Sequence, residues 1–157
     1  MVLWWPGVVM LWCCDAVMLC PDSNVDATRE VIEHKRLVGA TCLGLRDISG
    51  RHFDCVILDE AGQLTEPAAL GPLLLGGSFI MVGDHFQLPP LVISEQAKRG
   101  GMDISLFKRL AEAHPDAVTW LDTQYRMNDD VMAIANTLEY ERRTVTRLSL
   151  YSVIFSV

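Results

Sequence analysis

Residues 53–63 are FDCVILDEAGQ, a short apolar run that ends on two adjacent acids. The run lacks the strict alternation of a strand with one wet face, which predicts a strand covered on both sides. Residues 78–90, SFIMVGDHFQLPP, repeat the design: an apolar run, then Gly83 and Asp84, twenty-five residues on from Asp59 (84 − 59). LVGATCLGL at 37–45 and AVTWL at 117–121 are further strand candidates. Helices are expected over 25–36 (VDATREVIEHKR), over 104–114 (ISLFKRLAEAH, with Ile104, Leu106, Phe107 and Leu110 inward) and over 129–140 (DDVMAIANTLEY). TEPAALGPLLLG at 65–76 suggests a helical turn and loop, and the tail 141–157 carries no clear element beyond a strand. The rhythm of strand, loop, helix and strand predicts an α/β layered fold, a mostly parallel sheet flanked by helices. Such sheets bind ligands beyond the carboxyl ends of their strands, so the acids there are the place to look.

Composition sets the limits. The chain has 157 residues, half of them apolar and 21% charged, which excludes a disordered or collagen-like chain. Thirteen Lys and Arg against twenty Asp and Glu leave a net charge of −7, so bulk charge does not announce nucleic-acid binding, although a channel can be locally basic. Five cysteines, an odd number with no CxxC pair, fit free thiols better than a disulfide framework or a four-ligand zinc site. His34, His52, His85 and His114 lack metal-ligand spacing, and no GxSxG nucleophile elbow occurs. The first twenty residues, MVLWWPGVVMLWCCDAVMLC, lack the basic start and small-residue cleavage site of a signal peptide, and Pro6 and Asp15 interrupt any membrane helix. They are expected to be foreign to the domain that follows, and no membrane partner is expected.

The strand-end acids carry the chemistry. Two adjacent carboxylates at a sheet edge are costly unless a cation sits there, and magnesium with a nucleoside triphosphate meets that need. Asp59 would help hold the ion, through water, and Glu60 would orient or deprotonate the attacking water. Solvated loop acids explain an isolated apolar-DE string equally well. On the next strand Gly83 permits a turn, Asp84 ends the run, and Gln87 could hydrogen-bond a phosphate or the attacking water. In WLDTQYRMNDDVM, at 120–132, Arg126 offers a guanidinium that can spread over a phosphoryl group's developing charge, or equally a surface ion pair.

DEAGQ, GDHFQLPP and QYRMN, in this order and spacing, resemble motifs II, III and IV of superfamily 1 helicases, in the branch that moves 5′ to 3′ on nucleic acid. GATCLG at 39–44 resembles the strand and loop before motif II in that branch. GDHFQLPPLV followed by GMDISLFKRL, together with QYRMN, resembles the replication ATP-dependent helicase/nucleases. The resemblance covers roughly residues 24–141, leaving 1–23 as an apolar segment and 142–157 as a divergent tail. It implies a P-loop NTPase (RecA-like) motor domain, here incomplete. It implies ATP and magnesium, with Asp59 on the metal, Glu60 as catalytic base, Gln87 sensing the γ-phosphate and Arg126 as arginine finger. Gly83 and Asp84 would couple the nucleotide state to the strand, and Thr41 would line the nucleic-acid channel. The implied partners are single-stranded DNA, in flap or fork structures, and a single-strand-binding protein. The implied compartment is the nucleus in a eukaryote, with mitochondria as a second site, and otherwise the cytoplasm.

No G-x-x-x-x-G-K-[ST] occurs, so the loop that cradles phosphates is missing from these residues. The second motor domain, the nuclease domain and its iron–sulfur cluster would likewise lie outside them. The chain is therefore expected to be a fragment of the first motor domain and inactive by itself. Two alternatives stand beside a piece of a DNA helicase: a non-catalytic truncated motor domain, and a fragment of a related RNA helicase.

Overall fold

A computed structural model describes residues 8–12, 16–18, 36–42, 50–121, 128–138 and 150–156. Seven strands among the described residues form one sheet: β1 (Val8–Trp12), β2 (Ala16–Met18), β3 (Leu37–Thr41), β4 (Phe53–Leu58), β5 (Gly76–Gly83), β6 (Val118–Leu121) and β7 (Leu150–Ser156). Their order across the sheet is β2-β3-β1-β4-β5-β7-β6.

The central pair is parallel, with Phe53 opposite Gly76 and Leu58 opposite Met81. Both strands therefore run out on the same edge, β4 into Asp59 and β5 into Asp84. β3 and β4 are each antiparallel to β1, and β5 and β6 are each antiparallel to β7. With β2 parallel to β3, five strands share one direction and only β1 and β7 oppose it. The expectation of a mostly parallel sheet thus holds for strand direction and for the β4–β5 pair. It fails for pairing: only β4–β5 and β2–β3 are parallel, because β1 and β7 are interleaved between like-directed strands.

β1 and β7 come from the two ends that lie outside the resemblance, and both pair within the sheet. The reason is chemical. VVMLW and LYSVIFS carry no charge, and the bare sides of β4 and β5 offer rows of backbone donors and acceptors that must be satisfied.

Four helices among the described residues accompany the sheet: α1 (Glu66–Leu73), α2 (Glu95–Arg99), α3 (Leu106–Ala113) and α4 (Asp129–Leu138). TEPAALGPLLLG thus forms a full helix where a turn and loop were expected, with Pro67 at its start, where a missing N–H costs nothing. The helix expected over 25–36 lies almost wholly outside the described residues. The Ser94, Ser105 and Asn128 side chains accept the backbone N–H groups of Ala97, Lys108 and Val131, at 3.3, 3.1 and 3.0 Å, capping the starts of α2, α3 and α4.

The core gathers Val38 of β3, Phe53, Val56 and Leu58 of β4, Met81 of β5, Ala69 of α1, and Phe107 and Ala111 of α3. Val56 and Leu58 are fully buried whereas Cys55 and Ile57 are half-buried, so one face of β4 is better covered than the other. Leu106, Phe107 and Leu110 pack inward as expected, but Ile104 sits in the turn before α3 and stays 37% exposed. Arg109 of α3 pairs with Glu66 of α1 at 3.1 Å, an exposed ion pair worth at most about 1 kcal/mol. Among the described residues no helix is long and apolar enough to cross a membrane.

Candidate functional site

The edge where β4 and β5 end holds four of the expected site residues: Asp59, Glu60, Asp84 and Gln87. The chain leaves β4 through Asp59 into a 3-10 turn, Ala61–Gln63. Asp59 Oδ1 accepts the Glu60 N–H at 3.0 Å, which fixes the first carboxylate against the strand end and keeps Oδ2 for another partner. Glu60 has φ 53° and ψ 35°, left-handed backbone that a side chain disfavours. Strain at such a residue costs on the order of 1–3 kcal/mol and marks a position held by its surroundings. Gln63 Nε2 donates to Glu60 Oε2 at 3.3 Å, closing the turn over the second carboxylate.

The turn is seated on the end of β5. A Cβ on Gly83 would lie 2.8 Å from the Gly62 nitrogen and 3.0 Å from that of Ala61. A Cβ on Gly62 would lie 2.7 Å from the Asp84 carbonyl oxygen. The two strand-end loops thus touch backbone to backbone. Gly83→Ala is expected to force them apart and cost about 1–3 kcal/mol, as overpacking does. Gly71 in α1 is the control: nothing lies within 4 Å of a Cβ there, so Gly71→Ala should stabilise by about 1 kcal/mol through helix propensity. Denaturant midpoints of the two variants check this, and equal shifts would show that the contact carries no constraint.

Asp84 is 4% exposed. Its Oδ1 accepts the Phe86 N–H at 2.9 Å and its Oδ2 accepts Gln87 Nε2 at 2.9 Å. His85 stacks on Phe86, ring centroids 4.4 Å apart, and lies 6.1 Å from the Phe107 ring. Burial pulls the His85 imidazole below its ordinary range; Asp84 and Glu112 oppose the shift and Lys108 adds to it. A depressed histidine favours the fold above its unfolded value of about 6.5 and costs stability as pH falls from there toward the folded value. Unfolding free energy should therefore decline as pH falls below about 6.5, and His85→Gln should flatten that slope. An unchanged slope in the variant would remove His85 as its source. Burial raises the Cys42 thiol, which disfavours a reactive thiolate beside Thr41.

Thr41, exposed at the end of β3, lies on the same edge as Asp59: it pairs with Val8 of β1, and the next residue, Val9, pairs with Leu58. β6 also ends on this edge, with Leu121 opposite Leu150 and Gly83 opposite Tyr151. Arg126 follows five residues later and lies outside the described residues. No cluster of three or more His, Cys, Asp or Glu able to hold a metal occurs among the described residues. A magnesium ion that keeps most of its waters and is shared with phosphates asks for only one or two carboxylates, and Asp59 fits that requirement. Asp84, with both oxygens engaged, does not. Gln63 joins the site through its bond to Glu60, a role that no motif of the sequence assigns to it. The spacing that finds it is a carboxylate followed three residues later by an amide, Glu60–Gln63 and again Asp84–Gln87.

Two family models, each described as an AAA domain, match residues 21–95 and 102–151. The DNA replication ATP-dependent helicase/nuclease of Arabidopsis thaliana is 44% identical over 133 residues, 83% of this chain and 10% of the relative. That of Saccharomyces cerevisiae is 49% identical over 116 residues, 71% of this chain and 8% of the relative. That of Homo sapiens is 46% identical over 114 residues, 71% and 11%. The chain spans about a tenth of the length of the curated relatives it matches.

Proposed function

We infer, from the premise that the chain belongs to the AAA-domain family of the DNA replication ATP-dependent helicase/nucleases, that it forms the hydrolytic edge of an ATP-driven 5′-to-3′ DNA helicase motor. The observation that supports this is the meeting of two parallel strand ends, one bearing Asp59 and Glu60 and the other Asp84 and Gln87, across the Gly62–Gly83 contact. Phosphoryl transfer asks little covalent chemistry of a protein and a great deal of positioning, which such an edge supplies.

In this reading Asp59 holds magnesium through water, and the ion supplies charge neutralisation on the phosphates. Glu60 takes the proton of the attacking water, Gln87 senses the terminal phosphate, and Arg126 balances developing negative charge. Gly83 and Asp84 carry the nucleotide state to the strand, and Thr41, on the same edge, lines the path of single-stranded DNA. Flap or fork DNA is the substrate and a single-strand-binding protein a partner. The place of work is the nucleus in a eukaryote, with mitochondria as a second compartment. An iron–sulfur cluster would belong to a nuclease domain outside these residues.

The test is phosphate release from ATP by a longer protein in which a G-x-x-x-x-G-K-[ST] loop precedes this segment and a second motor domain follows it. Single-stranded DNA should stimulate release, and strand separation should proceed on DNA duplexes. Stimulation by RNA alone would replace this reading with that of an RNA helicase. No turnover with either would leave a non-catalytic motor domain.

A further inference from the structure

We propose that Asp84 is a positioning residue that decides which end of the Gln87 amide faces outward, and thereby makes Gln87 an acceptor for a hydrogen of the attacking water. The proposal rests on the hydrolytic reading above. A carboxylate carries no hydrogen to donate, so only the NH2 end of the Gln87 amide can face it. The 2.9 Å contact between Gln87 Nε2 and Asp84 Oδ2 is that arrangement, and it leaves Oε1 as the atom turned away.

The carboxylate is not able to swing aside. Its other oxygen is tied to the Phe86 N–H at 2.9 Å, it is 4% exposed so that water scarcely competes, and its backbone abuts Gly62. Pro89 and Pro90 stiffen the chain beyond.

The outward end matters because the two ligands of this edge differ. Terminal phosphate oxygens only accept hydrogen bonds, whereas water can donate. An outward Oε1 orients the second, and Gln87 then senses the terminal phosphate through the water held beside it. As the water oxygen bonds to phosphorus, the bond from phosphorus to the departing ADP oxygen breaks. One water hydrogen stays hydrogen-bonded to Gln87 Oε1, and the other passes as a proton to Glu60. The amide takes and gives nothing covalently, so its contribution is orientation alone.

The chain has four glutamines, Gln63, Gln87, Gln96 and Gln124, so selective 15N-glutamine labelling of the 157-residue chain gives four side-chain amide pairs to resolve. Gln87→Glu identifies the Gln87 pair by its loss. The expected result is one Gln87 amide proton shifted and slow to exchange in the wild type, with the shift lost in Asp84→Asn, whose own amide can donate. In the wild type, without any variant, the Phe86 N–H should also exchange slowly. A Gln87 pair at the free-amide position, or one unmoved by Asp84→Asn, overturns the proposal, as does a fast-exchanging Phe86 N–H.

The functional arm uses the longer protein described above. Asp84→Asn should lower kcat by about 10²-fold, the scale of a misplaced reacting geometry. The KM for ATP should stay within roughly twofold, and Asp84→Glu, which keeps an acceptor-only group, should recover part of the loss. A raised KM with unchanged kcat would mean that the pair serves binding and would overturn the proposal. An intact amide signature in a longer protein without any ATP turnover would sink the helicase reading and the water-orienting role with it, while leaving the Asp84–Gln87 bond itself established.

Discussion

Glu60→Gln, placed in a longer protein that also carries a phosphate-binding loop, is expected to reduce ATP turnover by about 10²–10⁴-fold, the range a general base contributes. Gln keeps the size of the side chain and can still hydrogen-bond to Gln63, but it takes up no proton at neutral pH. Nucleotide binding should therefore persist while hydrolysis fails. Glu60→Gly should be equally inactive and also more stable by about 1 kcal/mol or more, because glycine adopts the left-handed backbone without the strain that Glu60 bears at φ 53°. Loss of activity accompanied by a gain in melting temperature separates a residue kept for chemistry from one kept for the fold. Turnover in Glu60→Gln within tenfold of wild type would remove Glu60 from the reaction. The 157-residue chain by itself should release no phosphate above background, because the β- and γ-phosphates would have neither the backbone cradle nor the lysine of the missing loop.

Phe107→Ala carries the largest expected effect on stability, about 3–5 kcal/mol, from lost burial and the cavity left behind. Phe107 is fully buried on α3, joins the same core as β4, β5 and α1, and lies 6.1 Å from the His85 ring. A loss of that size is a large part of the 5–15 kcal/mol that typically holds a domain together. At roughly 2–4 °C per kcal/mol for a chain of this length, the melting temperature should fall by on the order of 10 °C. The exposed Ile134, 61% accessible on α4, is the comparison, and Ile134→Ala should stay within about 0.5 kcal/mol. Similar losses in both variants would mean that the core is not centred where Phe107 sits.

Much of the site was legible because its chemistry is local. An apolar run, then Asp59 and Glu60, and again an apolar run, then Gly83 and Asp84, needs no knowledge of tertiary structure to suggest two strands ending in acids. Their meeting on one edge follows from the parallel pairing that buried runs imply. What stayed hidden was set by distant partners. Nothing in VVMLW or LYSVIFS announces that these strands insert against their neighbours in the opposite direction, since apolar, uncharged strands carry no signal of direction. The full helix at 66–73 was masked by Pro67 and Pro72, which break most helices but are tolerated here in the first and last turns. The left-handed backbone of Glu60 has no composition signal either, because residues with that conformation are usually Gly, Asn or Asp. The Asp84–Gln87 bond was within reach, as a carboxylate and an amide three apart just beyond a strand.

The antiparallel seat of β7 on β5 also governs how the chain is born. Gly83 ends β5 and Leu150 begins β7, 67 residues later (150 − 83). At about 5–20 residues per second, a ribosome needs roughly 3–13 s to make that stretch. Throughout that interval the β5 side destined for β7 is a bare, largely apolar ladder, the kind of surface that recruits other strands. Pairings so distant along the chain also close slowly once both partners exist. Nascent chains should therefore engage holding chaperones until β7 emerges, and those stalled before residue 150 should aggregate more readily than those stalled well beyond it.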